Sequence, residues 1–207
     1  MWLNYSLLDR NEVLKAIKFR RSVRMFSEKA VSEDHINTLL QAANHAPSAH
    51  NQQSWRFFVL KGEKKSQLVS LVSSKSAELP KPVSVLLRMA SRTIQEAPAV
   101  IAVANSGELI KHGKELFKID DDTAYDFFRT MEIQSSAAAV QNILLAATSL
   151  GIGAVWLGVL YIIKDEVLKF LEEPKGEFMA VIPIGFASKP MTGPRKRPLE
   201  TFVKNLD

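Results

Sequence analysis

The sequence predicts a single domain, residues 1–207, of mixed α and β structure with long helices and a small central sheet. Ala99-Val100-Ile101-Ala102-Val103-Ala104 is a continuous apolar run, the pattern of a strand covered on both faces. An alanine-rich stretch over residues 123–150 has the length and composition of a deeply buried helix. With 46% hydrophobic residues, the chain can form one packed core or share a core with another subunit.

Apolar spacing and cap residues place the other elements. Ser32 precedes two acidic residues and an apolar series, so a capped helix is predicted over residues 33–45, closed by Pro47. Gly151 is predicted to end the long helix and to lead into a buried strand. We expect further helices over residues 7–19, 63–74, 83–95 and 166–171, short buried strands over 57–60 and 179–184, and a basic loop over 190–198.

Composition restricts the possible functions. The chain has no cysteine, which excludes disulfides, iron–sulfur clusters and cysteine nucleophiles, so redox chemistry would need a bound organic cofactor. No apolar run approaches the roughly 20 residues of a membrane span, and the N-terminus lacks a signal-peptide pattern, so we expect a cytoplasmic protein. The net charge of +5 suits nucleic acid or a phosphorylated ligand, and the short, isolated basic clusters favour the ligand.

Two polar segments at predicted helix ends carry the main functional signal. Arg20-Arg21-Ser22-Val23-Arg24 supplies fixed positive charge for a phosphate, and Pro47-Ser48-Ala49-His50-Asn51-Gln52-Gln53-Ser54-Trp55 supplies hydroxyl and carboxamide groups. Each alone is explained by a solvated helix terminus or by turn chemistry. Together with Arg195-Lys196-Arg197 they indicate one composite site, although Trp55 is expected in the core.

Other common site patterns are missing. Gly151-Ile152-Gly153-Ala154-Val155-Trp156-Leu157-Gly158 follows a helix, and its third glycine comes too late for a dinucleotide-binding fingerprint. The sequence contains neither a P-loop motif nor the G-x-S-x-G motif of serine hydrolases. The four histidines lack the spacing of a metal site.

These segments, in this order, resemble the FMN-dependent nitroreductase family over most of the chain, from Arg20 to about Val203. The resemblance implies an α+β fold with a mostly antiparallel central sheet surrounded by helices, and an intertwined homodimer that binds two FMN molecules at its interface. It also implies hydride transfer from NADH or NADPH through FMN to a small organic acceptor by ping-pong kinetics. Neither nucleic acid nor a membrane is expected as a partner.

The resemblance assigns roles to individual residues. Arg20, Ser22 and Arg24, with Arg21 adjacent, would face the phosphate, ribityl chain and pyrimidine edge, and Arg195 and Arg197 would complete a phosphate clamp. The backbone N–H groups of Leu157 and Gly158 would face the flavin N5 and O4 region. The partner subunit would contribute its copies of Pro47, Ser48, Ala49 and Asn51, and Gln53 is a further cofactor-binding candidate.

Two departures from the family pattern affect the pocket. Ser54 stands where the family usually has proline, which removes a rigid φ constraint, and Ala49 and His50 stand where small hydroxyl residues or glycine are common.

Three alternative functions stay open. The first is a specialised FMN enzyme that dehalogenates, reduces enones or cleaves flavin. The others are a flavin-storage protein with little turnover and a basic nucleic-acid module.

Overall fold

In the computed structural model, which describes residues 8–116, 120–190 and 192–206, the centre of the fold is a four-stranded antiparallel sheet. The strands are β1 (Trp55–Leu60), β2 (Ala99–Asn105), β3 (Gly153–Ala154) and β4 (Glu177–Gly185). They lie in the order β1-β2-β4-β3, and all three neighbouring pairs are antiparallel. This confirms the predicted sheet.

Helices cover both faces of the sheet. On one face lie α2 (Glu33–Asn44) and α6 (Asp121–Ser149), with α1 (Glu12–Phe19) and α5 (Glu108–Leu116) packed on α6. On the other face lie α3 (Gly62–Glu78), α4 (Val83–Glu96) and α7 (Lys164–Phe170). Every residue of β2 is buried, and its side chains alternate between the two cores, as predicted for a strand covered on both sides. The arrangement is an α+β fold.

Local sequence signals explain where the helices begin and end. Ser32 Oγ accepts a hydrogen bond from the His35 N–H at 3.2 Å and caps α2, as predicted. Asp120 Oδ1 accepts from the Thr123 N–H at 2.9 Å and caps α6. Gly151 has φ +70° and ends α6, as predicted. None of the helices in the described residues is long and apolar enough to span a bilayer.

Two expectations need correction. The first strand begins at Trp55 rather than at Phe57, and it is an edge strand rather than a buried one, because Val59 is exposed and, within the described part of the chain, β2 alone pairs with it. Helix α5 was not predicted, since its sequence contains Gly113 and few apolar residues. Contacts with α6, described below, hold this helix in place.

Candidate functional site

The arginine segment, residues 20–24, runs from the end of α1 along β3. The Val23 N–H donates to the Ala154 carbonyl oxygen at 3.0 Å, and Ser22 and Ala154 form a parallel bridge. Close packing is possible because residue 153 is glycine: a Cβ atom there would lie 2.8 Å from the Val23 side chain. The arginine segment and the glycine turn, residues 151–158, therefore adjoin each other.

This contact predicts a loss of stability on a minimal substitution. Gly153→Ala is expected to reduce the free energy of unfolding by about 1–3 kcal/mol, because the added methyl group overlaps the Val23 side chain. Gly158→Ala is the matched control, since a Cβ atom there would come no closer than 3.8 Å to a neighbour. Urea unfolding measures both, and equal losses in the two variants would contradict the packing argument.

The three arginines of this segment have different surroundings. Arg21 Nη1 donates to the carbonyl oxygens of Lys18 and Arg20, both at 2.8 Å, and so satisfies acceptors at the C-terminal end of α1. Arg20 is half-buried at the helix cap, and Arg24 is exposed, with Nη1 3.4 Å from the Ser22 carbonyl oxygen. Because Arg21 is engaged by the helix, Arg20 and Arg24 are the better candidates for an anionic ligand.

The basic loop, residues 190–198 with residue 191 outside the described part, reaches the same place. A Cβ atom on Gly193 would lie 2.2 Å from Arg21 Nε, so the loop packs directly against the Arg21 side chain. Arg195 follows two residues later, which puts its Cα within about 7 Å of the Gly193 Cα. The Arg197 guanidinium lies over the Phe202 ring, 4.5 Å from its centroid. The basic loop and the arginine segment, which are far apart in the sequence, thus meet near one end of the sheet.

The glycine turn offers one of the two predicted backbone donors. The Leu157 N–H donates to the Val181 carbonyl oxygen at 2.9 Å, so the fold itself uses this group. Gly158 is exposed and begins a short 3-10 helix, Gly158–Ile163, whose first amides have no acceptor within the helix. The predicted donor role therefore rests on Gly158 rather than on Leu157.

The polar loop, residues 47–53, is ordered by its own side chains. Ser48 Oγ accepts from the Gln53 N–H at 3.2 Å, and Gln53 Nε2 donates to Asn51 Oδ1 at 3.1 Å. The Ala49 N–H donates to Ser135 Oγ of α6 at 3.1 Å, while Pro47 and Asn51 are exposed. Trp55 is buried beyond the loop, which confirms its predicted place in the core.

The backbone of this loop is strained. His50, Asn51 and Gln53 have φ values of +53°, +53° and +52°. Asparagine and histidine are enriched in this left-handed region, but glutamine adopts it rarely, at a cost of about 1–3 kcal/mol. Strain of this kind concentrates at binding and catalytic sites, where the surrounding structure maintains it.

Within one chain, the polar loop lies far from the arginine segment. Trp55 pairs with Asn105 at one end of β2, whereas Ala154 pairs with Ile184, which pairs with Ala99 at the other end. Six residue steps of a strand span about 20 Å. The structure brings together the arginine segment, the glycine turn and the basic loop, and it leaves the polar loop at the opposite end.

A buried acid near the polar loop was missed by sequence reasoning. Glu132 is only 2% exposed, and its Oε1 accepts from the Leu109 N–H at 2.8 Å. Burial raises the pKa of this carboxyl group, and the nearby amides and the Ser54 side chain oppose that effect. Its spacing of four from the buried Phe128 and Ser136 was a signal that could have found it.

The fold is that of an α+β protein with an antiparallel sheet, and the arginine segment and basic loop form a candidate anion-binding site at one end of that sheet. The sequence model of the nitroreductase family matches residues 17–186, and the chain belongs to this family. It is 35% identical, over 80% of its length and 76% of the relative's, to an Archaeoglobus fulgidus protein provisionally named NADH dehydrogenase/NAD(P)H nitroreductase. A Methanothermobacter thermautotrophicus protein with the same provisional name is 30% identical, over 88% of this chain and 81% of its own.

A solved structure shows the same architecture. The crystal structure of a provisionally assigned nitroreductase from Desulfovibrio desulfuricans, in complex with FMN, superposes with a TM-score of 0.70. The superposition covers 95% of this chain and 98% of that one, at 26% identity.

Proposed function

We propose that this protein is a homodimeric, FMN-dependent oxidoreductase that uses NADH or NADPH to reduce a small organic acceptor. The observation that carries the proposal is the assembly of the arginine segment, the glycine turn and the basic loop at one end of the sheet. The FMN complex of the Desulfovibrio desulfuricans relative supports this cofactor. The single-domain organisation and the cytoplasmic location predicted from the sequence form part of the same proposal.

The donor set at this end of the sheet suits the polar groups of FMN. Arg20, Arg24 and Arg195 supply guanidinium groups for a phosphate, which binds such groups through charge-assisted hydrogen bonds. Arg197 would join them from its place over Phe202. The Ser22 hydroxyl would face the ribityl chain, and the exposed Gly158 N–H would donate to the flavin ring.

A second copy of the chain would supply the polar loop. The loop of one chain lies about 20 Å from its own arginine segment, which is too far for both segments of one chain to contact the same flavin closely. Helix α1 supports a dimer as well, because Val13 and Ile17 are 65% and 48% exposed and lie one helical turn apart. In the proposed dimer, Pro47, Ser48, Ala49, Asn51 and Gln53 of each chain complete the site of the other.

In the proposed reaction, the role of the protein is to orient the cofactor and to place charge beside it. Bound FMN would supply the hydride transfer, which accounts for the lack of a nucleophile motif in the sequence. Arg24 would place positive charge near the pyrimidine edge and favour the build-up of negative charge there. Donor and acceptor would occupy the same pocket in turn, which gives ping-pong kinetics.

The visible spectrum of the purified protein tests this proposal. We expect a yellow protein with a flavin spectrum, which NADH or NADPH bleaches without oxygen and which a quinone or nitroaromatic compound restores. A colourless protein that stays colourless after incubation with FMN would contradict the proposal. A yellow protein that neither nicotinamide bleaches would support a storage role instead, and a panel of halogenated and enone acceptors would detect a specialised enzyme.

A further inference from the structure

Glu132 connects three elements beside the polar loop. From the middle of α6, its carboxyl group accepts the Leu109 N–H at 2.8 Å, and the amides of Gly107 and Ile110 also face it. The Ser54 side chain, which directly follows the loop, lies close enough to lower the pKa of Glu132, although Ser54 Oγ forms no hydrogen bond of normal geometry. The start of α5 and the end of the loop thus meet at one carboxyl group.

Backbone and packing contacts join α5 to the loop directly. The Ser106 N–H donates to the Ser54 carbonyl oxygen at 2.9 Å, just before α5 begins. Ala49 packs against the small apolar cluster formed by Leu109, Ala124 and Phe128. If the start of α5 moves away from α6, Ala49 loses part of the surface on which it rests.

The surroundings of Glu132 are polar, but no described side chain forms an ion pair with it. Lys111 and Lys114 of α5, Tyr125 of α6, and Lys175 and Glu177 near the start of β4 line a cavity of about 440 Å³ that Glu132 also borders. Arg129 donates two hydrogen bonds to the Glu177 carboxylate rather than to Glu132. An ionised Glu132 would therefore be a buried charge without a direct counter-charge, which is unfavourable.

A neighbouring amide group adds a second unusual feature. Asn105 is fully buried, and its Oδ1 accepts from the Ser136 hydroxyl. Its Nδ2 has no hydrogen-bond partner among the described residues. Beside its small apolar cluster, the junction of α5, α6 and the loop therefore contains buried polar groups that the described residues leave incompletely satisfied.

We propose that Glu132 is a positioning residue for the polar loop, and that it holds α5 and the loop most firmly when its carboxyl group is protonated. Opening of α5 exposes Glu132 to water, where ionisation is no longer opposed by burial. Ionisation thus favours the open arrangement, and the loop loosens as pH rises. The inference rests on the proposed function only in treating the loop as half of a cofactor site.

The sign of the pH dependence follows from linkage. Burial raises the pKa of Glu132 in the closed arrangement above its ordinary value of 4.5, while the open arrangement keeps the ordinary value. The closed arrangement then binds the proton more tightly. Between these two pKa values the opening equilibrium should rise by up to about tenfold per pH unit, and outside this range it should not respond to Glu132.

Hydrogen exchange of the full-length protein, as purified, tests the proposal. Protection factors of the Leu109 and Ala49 amides, corrected for intrinsic exchange, should both fall as pH rises above 4.5 and then level off. Glu132→Gln keeps an acceptor for Leu109 but cannot ionise, so its protection factors should not vary with pH. Glu108→Gln is the matched control: this acid is exposed on α5 and pairs with Arg56, so the pH dependence should persist.

Three results would overturn the inference: wild-type protection that does not change with pH, a pH dependence that persists in Glu132→Gln, or a response at Leu109 without one at Ala49. The pH series on the wild-type protein still tests the inference if the Glu132→Gln variant does not fold. A failure of the proposed function is distinguishable from a failure of this inference, because a protein that binds no flavin can still show the expected pH dependence of exchange.

Discussion

Flavin affinity is expected to fall by about 100-fold or more when Arg20 and Arg24 are both replaced by glutamine. A hydrogen bond to a charged group contributes about 1.5–3 kcal/mol, and each tenfold change in affinity corresponds to about 1.4 kcal/mol. Both side chains lie in the segment that adjoins β3, and Arg21 beside them is engaged by the end of α1. Fluorescence titration of the apoprotein with FMN measures the change.

A control of equal charge separates local contacts from the general field of a basic protein. Lys75→Gln/Lys169→Gln removes two positive charges from α3 and α7, which pack on the opposite face of the sheet from α6. Lys75 pairs with Glu78 and Glu166 near the surface, and such pairs contribute little to stability. We expect nearly unchanged FMN affinity in this control. Equal losses in both double variants would contradict a specific phosphate site at the arginine segment.

Coexpression of two damaged chains is expected to restore about a quarter of the wild-type flavin sites. One chain carries Arg20→Gln/Arg24→Gln and the other carries Asn51→Asp. Each homodimer has two defective sites, whereas a heterodimer has one site with both defects and one with neither. Random pairing makes about half of the dimers heterodimers, so about a quarter of all sites are intact.

The Asn51→Asp substitution is chosen to spare the loop. Aspartate tolerates the left-handed backbone at this position, and its carboxylate can still accept the hydrogen bond from Gln53 Nε2. The substitution removes an amide donor and adds a negative charge. Flavin content is measured at an FMN concentration that saturates the wild type but neither variant alone. No recovery in the mixture would show that both halves of the site come from one chain.

Regular elements with strong local signals could be predicted from the sequence. The uninterrupted apolar run of β2 allowed only a strand buried on both faces, and Ser32 and Gly151 marked helix ends that the structure confirms. The order of the arginine segment, polar loop, glycine turn and basic loop led to the correct family. Each of these features depends on a few neighbouring residues, which is why it is visible before the chain folds.

Features that depend on tertiary contacts could not be predicted in the same way. Helix α5 contains three apolar residues and a glycine among its nine residues, and its first turn is held by Glu132, which lies 23 residues from Leu109 in the sequence. The left-handed backbone of Gln53 runs against the preference of glutamine, so the identity of this residue gave no signal for it. The engagement of the Leu157 N–H with Val181 likewise became visible only with the register of the sheet.

The length of helix α6 sets the distance between the polar loop and the glycine turn, which belong to the two halves of the proposed site. Ser135 contacts the polar loop, and the Ala147 carbonyl oxygen accepts from the Ile152 N–H as the chain enters the glycine turn. These two positions lie about 18 Å apart along the helix axis. Adding or removing four residues between them would nearly preserve the buried face but change this spacing by about 6 Å, so the two halves would no longer meet across the dimer.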